Sequence, residues 1–220
     1  MNRQIKLAGV GGAVGAVGGA LIATSTTLPE LRQAVLGIAP NIVVWVLFFV
    51  YWAVQARNAA PAKNSESTGS TALHQFLLAA ALVLALLPII PGIDDRWLPE
   101  SRWLRAAGVA VQVCFALFAV SARRHLARNW SAEVRIAVNH ELVRTGPYSY
   151  LRHPIYTGML GMLLGTAISS GRLHAVASLL IMAFAYRRKI RLEEEALSGA
   201  FGDEFATYQK ATWAIVPWLF

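Results

Sequence analysis

The chain has 220 residues, of which 56% are hydrophobic and 15% charged, and its formal net charge is +8. The charged fraction is far below the roughly 25% of soluble domains, and the apolar residues form blocks that match the thickness of a bilayer core, so we predict a polytopic membrane protein. The basic residues cluster at block ends, which argues against a nucleic-acid partner, and the single cysteine, Cys114, excludes a disulfide framework and argues against a thiolate metal site.

Six apolar segments predict membrane helices, and the fold class predicted is therefore all-α. Their approximate bounds are residues 5–23, 36–54, 73–91, 104–122, 155–169 and 173 to beyond 186. In the first segment, Gly11, Gly15 and Gly19 share one helix face, which predicts close packing within the monomer or, alternatively, a homodimer interface. Residues 56–72 are polar, lack periodicity and predict a loop.

The character of the chain changes after residue 122, where it becomes basic and polar. We therefore predict a four-helix transmembrane region at residues 1–122 and a second region at 123–220 that holds two further spans and the main polar segments. With six spans and the N-terminus inside, 15 of the 20 Lys and Arg residues lie on the cytoplasmic side and five on the other. The positive-inside rule then predicts cytoplasmic termini and cytoplasmic polar segments, at the inner membrane in a bacterium.

The longest polar run lies between two predicted spans, at residues 139–158, and reads NHELVRTGPYSYLRHPIYTG. Proline disfavours the helical conformation in the residue before it, so we expect the fifth membrane helix to begin at Pro154. The free backbone N–H groups at such a helix start attract anions, and Arg152, His153 and Tyr156 add donors beside it. This geometry suits a carboxylate or a phosphate group.

A turn at Gly146-Pro147 is expected to bring Tyr148 and Tyr150 close to the same helix start. Taken singly, Tyr150 and Arg144 have a simpler interpretation, as an interfacial anchor and a partner of lipid phosphate. A proline-fixed cluster at a helix start is not required for anchoring, and this favours a binding function for the cluster.

Good helix formers continue after Tyr186 in the sequence RRKIRLEEEAL, which predicts that the sixth helix projects into water as one rod. Its carboxylates, Glu193, Glu194 and Glu195, can pair with neighbouring arginines on a solvated helix. Alternatively, they complement the donors at the start of the fifth helix, so that a ligand with both charges, such as an amino acid moiety or a sulfonium, would join the two pieces.

These paired motifs, HELVRTGPYSYLRHPIYTG and RLEEEALSGAFGDEFATYQKATWAIVPW, resemble isoprenylcysteine carboxyl methyltransferases and the related phospholipid methyltransferases. The resemblance covers residues 125–218. It implies an integral membrane enzyme that uses S-adenosylmethionine, with a cytoplasmic cofactor site formed by the loop before the fifth helix and the extension of the sixth. Residues 123–220 would then be the catalytic region.

The same resemblance implies which residues bind the cofactor. They are His140, Val143, Tyr148, His153, Pro154 and Tyr156, with Glu193 and Glu194 as the acidic pair, and we add Gly146 of the turn. Family members carry a basic residue shortly before the acidic pair that handles the substrate, and Lys189 and Arg191 are the candidates here. Together with Arg152 they are the predicted catalytic residues.

The chemistry that fits is direct displacement at the sulfonium methyl group, with an amphipathic, lipid-like acceptor that enters from the bilayer. A carboxylate acceptor of the isoprenylcysteine type needs only alignment and exclusion of water. A phospholipid amine or a thiol would also need a base, such as His125 or Glu133. Further alternatives are an NADPH-dependent sterol-type reductase, which uses a similar RHPxY stretch, and a small channel or transporter subunit, although the spans hold few ionisable residues.

Overall fold

The computed structural model of the chain describes residues 28–56, 67–87, 96–126 and 142–217. Within these ranges the chain is almost entirely helical, which confirms the all-α prediction for this part. The helices are α1 (Leu28–Ala56), α2 (Thr68–Leu86), α3 (Arg102–Leu126), α4 (Pro154–Ser170), α5 (Leu173–Phe201) and α6 (Asp203–Ala211), with a 3-10 turn at Gly146–Ser149. The predicted span at 5–23, with the homodimer interface suggested for it, lies outside the described residues.

Three segments are long and apolar enough to cross a membrane by length and composition, Val35–Gln55, Gly69–Leu86 and Arg102–Leu126. They correspond to the predicted second, third and fourth spans and carry large exposed apolar side chains such as Leu47, Phe76 and Leu117, as expected of helices that face lipid. The predicted fifth and sixth spans are α4 and the first part of α5. The chain is therefore a helical membrane protein, and the total of six spans stays a prediction.

Both ends of α2 differ from the prediction for local reasons. The helix starts at Thr68, where the Ser67 hydroxyl caps it by accepting a hydrogen bond of 3.3 Å from the backbone N–H of Ser70. Residues 68–72 therefore belong to the helix and not to the predicted loop. The helix ends at Leu86, short of the predicted residue 91, because Leu87 precedes a proline and takes an extended conformation.

Helix α4 begins and ends where the proline and glycine residues of the sequence predict. Pro154 occupies its first position, and His153 before it is not helical. At the other end Gly171 closes the helix with a φ of 65°, a left-handed conformation that glycine adopts without steric cost. The short turn at this glycine sends the chain directly into α5.

Close contact between α3 and α4 depends on glycines that the two helices bring face to face. A Cβ atom added to Gly165 would lie 2.5 Å from the backbone nitrogen of Gln112, and one added to Gly158 would lie 2.6 Å from the Cβ of Ala119. The glycine at 158, expected to permit a close approach, therefore accommodates a neighbouring helix. The small residues set the spacing of the two helices.

We expect Gly165→Ala to destabilise the protein by about 2 kcal/mol, because overpacking of a close helix contact costs roughly 1–3 kcal/mol. Gly199→Ala is the matched control: nothing lies within 4 Å of the added Cβ atom, and alanine is the better helix former. Thermal unfolding in detergent should show a lower midpoint for the first variant and an equal or higher midpoint for the second. Equal midpoints for the two variants would contradict this account of the helix contact.

A buried polar cluster joins α1, α3 and α4. The Asn41 side-chain amide donates to Gln112 at 2.7 Å and accepts from the Ser169 hydroxyl at 2.8 Å, while Trp45 donates to Thr166 at 3.1 Å. Each of these bonds links residues at least 71 positions apart. Because an unpaired polar group in an apolar interior is costly, the cluster fixes which helix faces meet.

Helix α5 continues without a break to Phe201, as its helix formers predict. The extension is not fully solvated, however, because Lys189 and Ile190 are only 1% and 2% exposed. After Gly202 the chain continues into α6, and a C-terminal segment follows to residue 217. This segment returns to the start of α4, where it pairs with the residues before that helix.

Candidate functional site

The loop before α4 is held in a defined conformation. Gly146 has a φ of 59°, which allows the 3-10 turn to begin and leaves room for the ring of His125 against it. The turn buries Tyr148, whose backbone carbonyl accepts a hydrogen bond of 2.7 Å from the Tyr208 hydroxyl of α6. Burial raises the pKa of Tyr208 to about 12, so this hydroxyl keeps its proton and remains a donor at neutral pH.

The residues directly before α4 pair with the C-terminal segment like two short parallel strands. The backbone N–H groups of Arg152 and His153 donate to the carbonyls of Trp213 and Ala214 at 2.8 and 3.0 Å, and Trp213 donates to Tyr150 at 3.1 Å. This ladder fixes the backbone on which Arg152 and His153 are presented.

At the start of α4 a cluster of side chains meets the extension of α5. The Tyr156 hydroxyl donates to Glu193 at 2.5 Å. The His153 ring lies 3.3 Å from Glu193 through Nδ1 and 3.2 Å from Glu194 through Nε2. The two predicted pieces, which are about 40 residues apart in sequence, therefore form one cluster with alternating charge.

Arg152 connects this cluster to the C-terminal segment. Its Nε donates to Glu194 at 2.7 Å, and its Nη1 donates to the backbone carbonyls of Gln209 and Thr212. The Gln209 side chain donates to the other oxygen of Glu194 at 3.0 Å. The Glu194 carboxylate thus accepts from three side chains, and one guanidinium holds three chain segments together.

Aromatic rings form the wall of the cluster on the membrane side. The rings of His153 and Tyr156 stack with centroids 5.6 Å apart, and Tyr156 stacks on Tyr186 of α5 at 4.4 Å. Such offset stacks are favourable ring contacts, and the rings of His153 and Tyr186 are buried. The carboxylates of Glu193 and Glu194, only 20% and 19% exposed, therefore lie against a largely buried aromatic surface.

The charges in the cluster stabilise one another. Burial alone would raise the pKa of Glu194, but hydrogen bonds from His153 and Arg152 outweigh it and lower that pKa from 4.5 to about 2. Burial alone would lower the pKa of His153, but hydrogen bonds with Glu193 and Glu194 outweigh it and raise that pKa above 6.5.

These shifts predict a pH window of maximal stability. The contribution of Glu194 is present above pH 4.5 and is lost as the pH falls toward 2. The contribution of His153 is complete below pH 6.5 and is lost as the pH rises through the folded-state pKa. The thermal midpoint of the wild type should therefore exceed that of His153→Gln most clearly between pH 4.5 and pH 6.5. The difference between the two midpoints should shrink at alkaline pH. A difference that does not change with pH would contradict the assigned ionisation of His153.

The structure brings most of the predicted site residues together. Those in the cluster itself are Arg152, His153, Pro154, Tyr156, Glu193 and Glu194. Val143 and Tyr148 pack beside Tyr156 in the adjoining apolar cluster, and Gly146 lies in the same turn. His140 lies outside the described residues.

The two candidate basic residues on α5 lie on different faces. Lys189 is buried and shares a face with Tyr186 and Glu193, which are three and four residues away. Arg191 is exposed. Arg152, the third predicted catalytic residue, bonds to Glu194 and to two backbone carbonyls, and its catalytic role stays a prediction.

The sequence interpretation gave no role to Gln209, Tyr208, Thr212 or Tyr186, although all four contact or surround the cluster. A usable signal was present in α6, where Phe205, Tyr208 and Thr212 recur at helical spacing and predict a face that docks on another element. The target of that face could not be predicted, because it lies 60 residues earlier in the chain.

Comparison with known proteins gives matches to methyltransferases and to metal-resistance proteins. The family model described as phospholipid methyltransferase matches residues 103–204. Protein-S-isoprenylcysteine O-methyltransferase B of Arabidopsis thaliana is 24% identical over 164 residues, which cover 70% of this chain and 81% of that protein. The cobalt-zinc-cadmium resistance protein CzcN of Cupriavidus metallidurans is 43% identical over 81 residues, 36% of this chain and 37% of its own.

A solved structure has a similar fold. It is the eukaryotic intramembrane Ras methyltransferase ICMT, isoprenylcysteine carboxyl methyltransferase, which matches with a TM-score of 0.52 at 23% identity over 66% of this chain and 52% of that chain. This chain therefore spans about half of the solved protein and about a third of CzcN. The resemblance predicted from the paired motifs is confirmed by these matches.

Proposed function

We propose that this chain is a membrane methyltransferase that transfers a methyl group from S-adenosylmethionine to a lipid-like acceptor, a proposal supported by the match of residues 103–204 to the phospholipid methyltransferase family model. The observation that carries the proposal is the cluster of His153 and Tyr156 with Glu193 and Glu194. The relatives named for isoprenylcysteine O-methylation support a prenylcysteine carboxylate as the acceptor.

The residues present fit such a donor by their chemistry. S-adenosylmethionine carries a sulfonium, an ammonium and a carboxylate, so its site needs acidic groups and hydrogen-bond donors side by side. Glu193 and Glu194 supply partly buried carboxylates, while His153, Tyr156 and the start of α4 supply donors. The residues that would hold it are His153, Pro154, Tyr156, Glu193 and Glu194, with Val143, Gly146 and Tyr148 of the adjoining loop and His140 before it.

In the mechanism that this arrangement supports, the protein supplies charge and alignment. When bound, S-adenosylmethionine offers an electrophilic methyl group on a positively charged sulfur. The carboxylates of Glu193 and Glu194 offset positive charge at the site, and the stacked rings of His153, Tyr156 and Tyr186 exclude water. A carboxylate acceptor attacks without losing a proton, so no general base is required and orientation carries most of the rate.

Lys189 is the better candidate for orienting the acceptor. It shares the helix face of Glu193 and is 1% exposed, whereas Arg191 points to solvent. A buried ammonium on this face would attract an acceptor carboxylate and position it near the methyl group. We therefore assign substrate contact to Lys189, and we assign to Arg152 the positioning of Glu194.

Incubation of purified protein with methyl-labelled S-adenosylmethionine tests the proposal. The acceptors are a farnesylated cysteine with a free carboxylate, the same molecule as its carboxamide, phosphatidylethanolamine and a long-chain thiol. We expect label in the first only, and mild base should release it as methanol, because only an ester is labile. Base-stable label in the phospholipid or thiol would replace the carboxylate assignment with N- or S-methylation.

A ligand titration separates the proposal from a reductase. S-adenosylhomocysteine should bind the purified protein and raise its unfolding temperature, and NADPH should not. Binding of NADPH without any response to S-adenosylhomocysteine would rule out a methyltransferase.

The location of the site is also part of the proposal. The excess of basic residues at the site end supports cytoplasmic termini and a cytoplasmic active site, at the inner membrane in a bacterium. Residues 1–122 would serve mainly as the membrane anchor and residues 123–220 as the catalytic region. A cysteine introduced at Gly199, which is exposed, should react with a membrane-impermeant maleimide only after the cytoplasmic side is opened.

A further inference from the structure

Helix α2 packs antiparallel to α5 and is fastened to it at both ends by polar contacts. Near the start of α2, Arg188 of α5 donates to the hydroxyl and the carbonyl of Ser70. Where α2 ends, the His174 ring nitrogen Nε2 lies 3.0 Å from the carbonyl oxygen of Leu87. These contacts fix the position of α2 along α5, and the residues one turn after Ser70 therefore have a defined partner on α5.

His74, one turn after Ser70, is a buried titratable residue inside a membrane span. The span Gly69–Leu86 contains no Asp, Glu, Lys or Arg, and its other side chains are apolar or neutral. His74 is nevertheless only 7% exposed, so its ring lies inside the bundle and not against lipid. Ionisable residues are costly within spans, and those that occur there ordinarily mark a functional position.

The His74 ring extends the aromatic wall of the candidate site into α2. The ring centroids of His74 and Tyr186 are 5.8 Å apart, with the planes inclined by 52°. Tyr186 stacks on Tyr156 at 4.4 Å, and Tyr156 stacks on His153 at 5.6 Å. Ring contacts at these separations are favourable beyond the area that they bury. The four rings therefore form one continuous series from α2 to the start of α4.

This ring series is connected to the carboxylate of Glu193. The Tyr156 hydroxyl donates to Glu193 at 2.5 Å, and the place of that hydroxyl depends on where the Tyr156 ring lies. The Tyr156 ring rests on Tyr186, whose own hydroxyl donates to the sulfur of Met159, a weak acceptor. Because this bond is weak, the ring contact with His74 contributes to the position of Tyr186. A change at His74 can therefore reach Glu193 through two rings.

We propose that His74 is a positioning residue of the methyltransferase site, which acts through the rings of Tyr186 and Tyr156 to hold Glu193 in its binding orientation. The inference rests on the proposed function, and it gives the N-terminal region a part in the site besides membrane anchoring. Loss of the His74 ring would let Tyr186 and Tyr156 shift, so that the Tyr156 hydroxyl holds Glu193 less firmly. Binding of S-adenosylhomocysteine would then weaken even in protein that remains folded.

Isothermal titration of the full-length protein in detergent with S-adenosylhomocysteine tests the inference. His74→Leu, which removes the ring, should weaken binding about tenfold, and His74→Phe, which keeps a ring, should bind within about twofold of the wild type. Gln75→Leu is the matched control, because Gln75 is the next residue of the same helix but is exposed. If His74 only supported the fold, His74→Leu would lower the thermal midpoint and the number of binding sites per chain but not the affinity of the folded protein.

A double variant tests the route through Tyr156. Tyr156→Phe removes the hydroxyl that contacts Glu193, so His74→Leu should have little further effect on affinity in that background. Three outcomes would overturn the inference: wild-type affinity in His74→Leu, equally weak binding by His74→Phe and His74→Leu, and full additivity in the double variant. All three leave the proposed function intact when the wild type binds S-adenosylhomocysteine, whereas a wild type that does not bind it overturns both. His74→Gln, which also lacks the ring contact, takes the place of His74→Leu if that variant does not fold.

Discussion

Glu193→Gln is expected to lower the affinity for S-adenosylhomocysteine about 100-fold and to abolish measurable methyl transfer. Glutamine keeps the shape of the side chain and its contact with Tyr156 but removes the negative charge. Loss of one charged partner in a partly buried site costs roughly 2–5 kcal/mol, and each 1.4 kcal/mol is a factor of ten in affinity. Isothermal titration of the detergent-solubilised protein measures the change. Glu194→Gln should have a similar effect on binding and should also lower stability, because it leaves Arg152 without its carboxylate and His153 with Glu193 alone.

Glu195→Gln is the matched control for this experiment. It removes the same charge from the next position of the same helix, but Glu195 is exposed to solvent. Its affinity for S-adenosylhomocysteine should remain within about twofold of the wild type, since exposed charges contribute little at this range. If Glu193→Gln bound the ligand as tightly as Glu195→Gln, the acidic pair would not belong to the methyl-donor site, and the solvated-helix interpretation of the three glutamates would stand.

Local chemistry made much of the helical arrangement predictable. Pro154 favours the first position of a helix, and Gly171 favours the end of one, so both ends of α4 follow from single residues. The continuity of α5 follows from its run of strong helix formers. The meeting of the two motifs was predictable as well, because one offers donors and the other carboxylates. Helix propensity acts within a short segment, and charge complementarity acts between two such segments. Both can be seen directly in a sequence.

Contacts between distant segments could not be predicted in the same way. The bond between Asn41 and Gln112 joins two apolar helices in which a single amide gives no indication of its partner. The ladder between residues 150–153 and the C-terminal segment has no sequence signature, because backbone groups form it. Arg152 illustrates the point, and its catalytic role stays a prediction. Its neighbours in sequence suggested a ligand, while its partners in the structure come from α5 and the segment after α6.

Because Arg152 joins segments that are distant in sequence, we expect Arg152→Met to destabilise the protein by about 3 kcal/mol. The guanidinium is 12% exposed and bonds to Glu194 and to the carbonyls of Gln209 and Thr212. Methionine preserves the apolar stem but leaves these acceptors without a donor, and removal of one partner of a buried ion pair costs roughly 3–5 kcal/mol. Thermal unfolding in detergent should show a midpoint lowered by several degrees, with earlier exposure of the C-terminal segment to protease.

Arg144→Met supplies the comparison, since it also breaks an arginine–glutamate pair between the loop and the C-terminal part, with Glu204. Both partners of that pair are nearly half exposed, so its loss should cost less than about 1 kcal/mol. The two variants thus separate the effect of burial on stability from the effect of charge pairing alone. If Arg152→Met unfolds like the wild type, binds S-adenosylhomocysteine normally and loses only turnover, then Arg152 acts on the acceptor. If it unfolds early and a second-site change that stabilises the fold restores turnover, then its contribution is to hold Glu194 and the C-terminal segment in place.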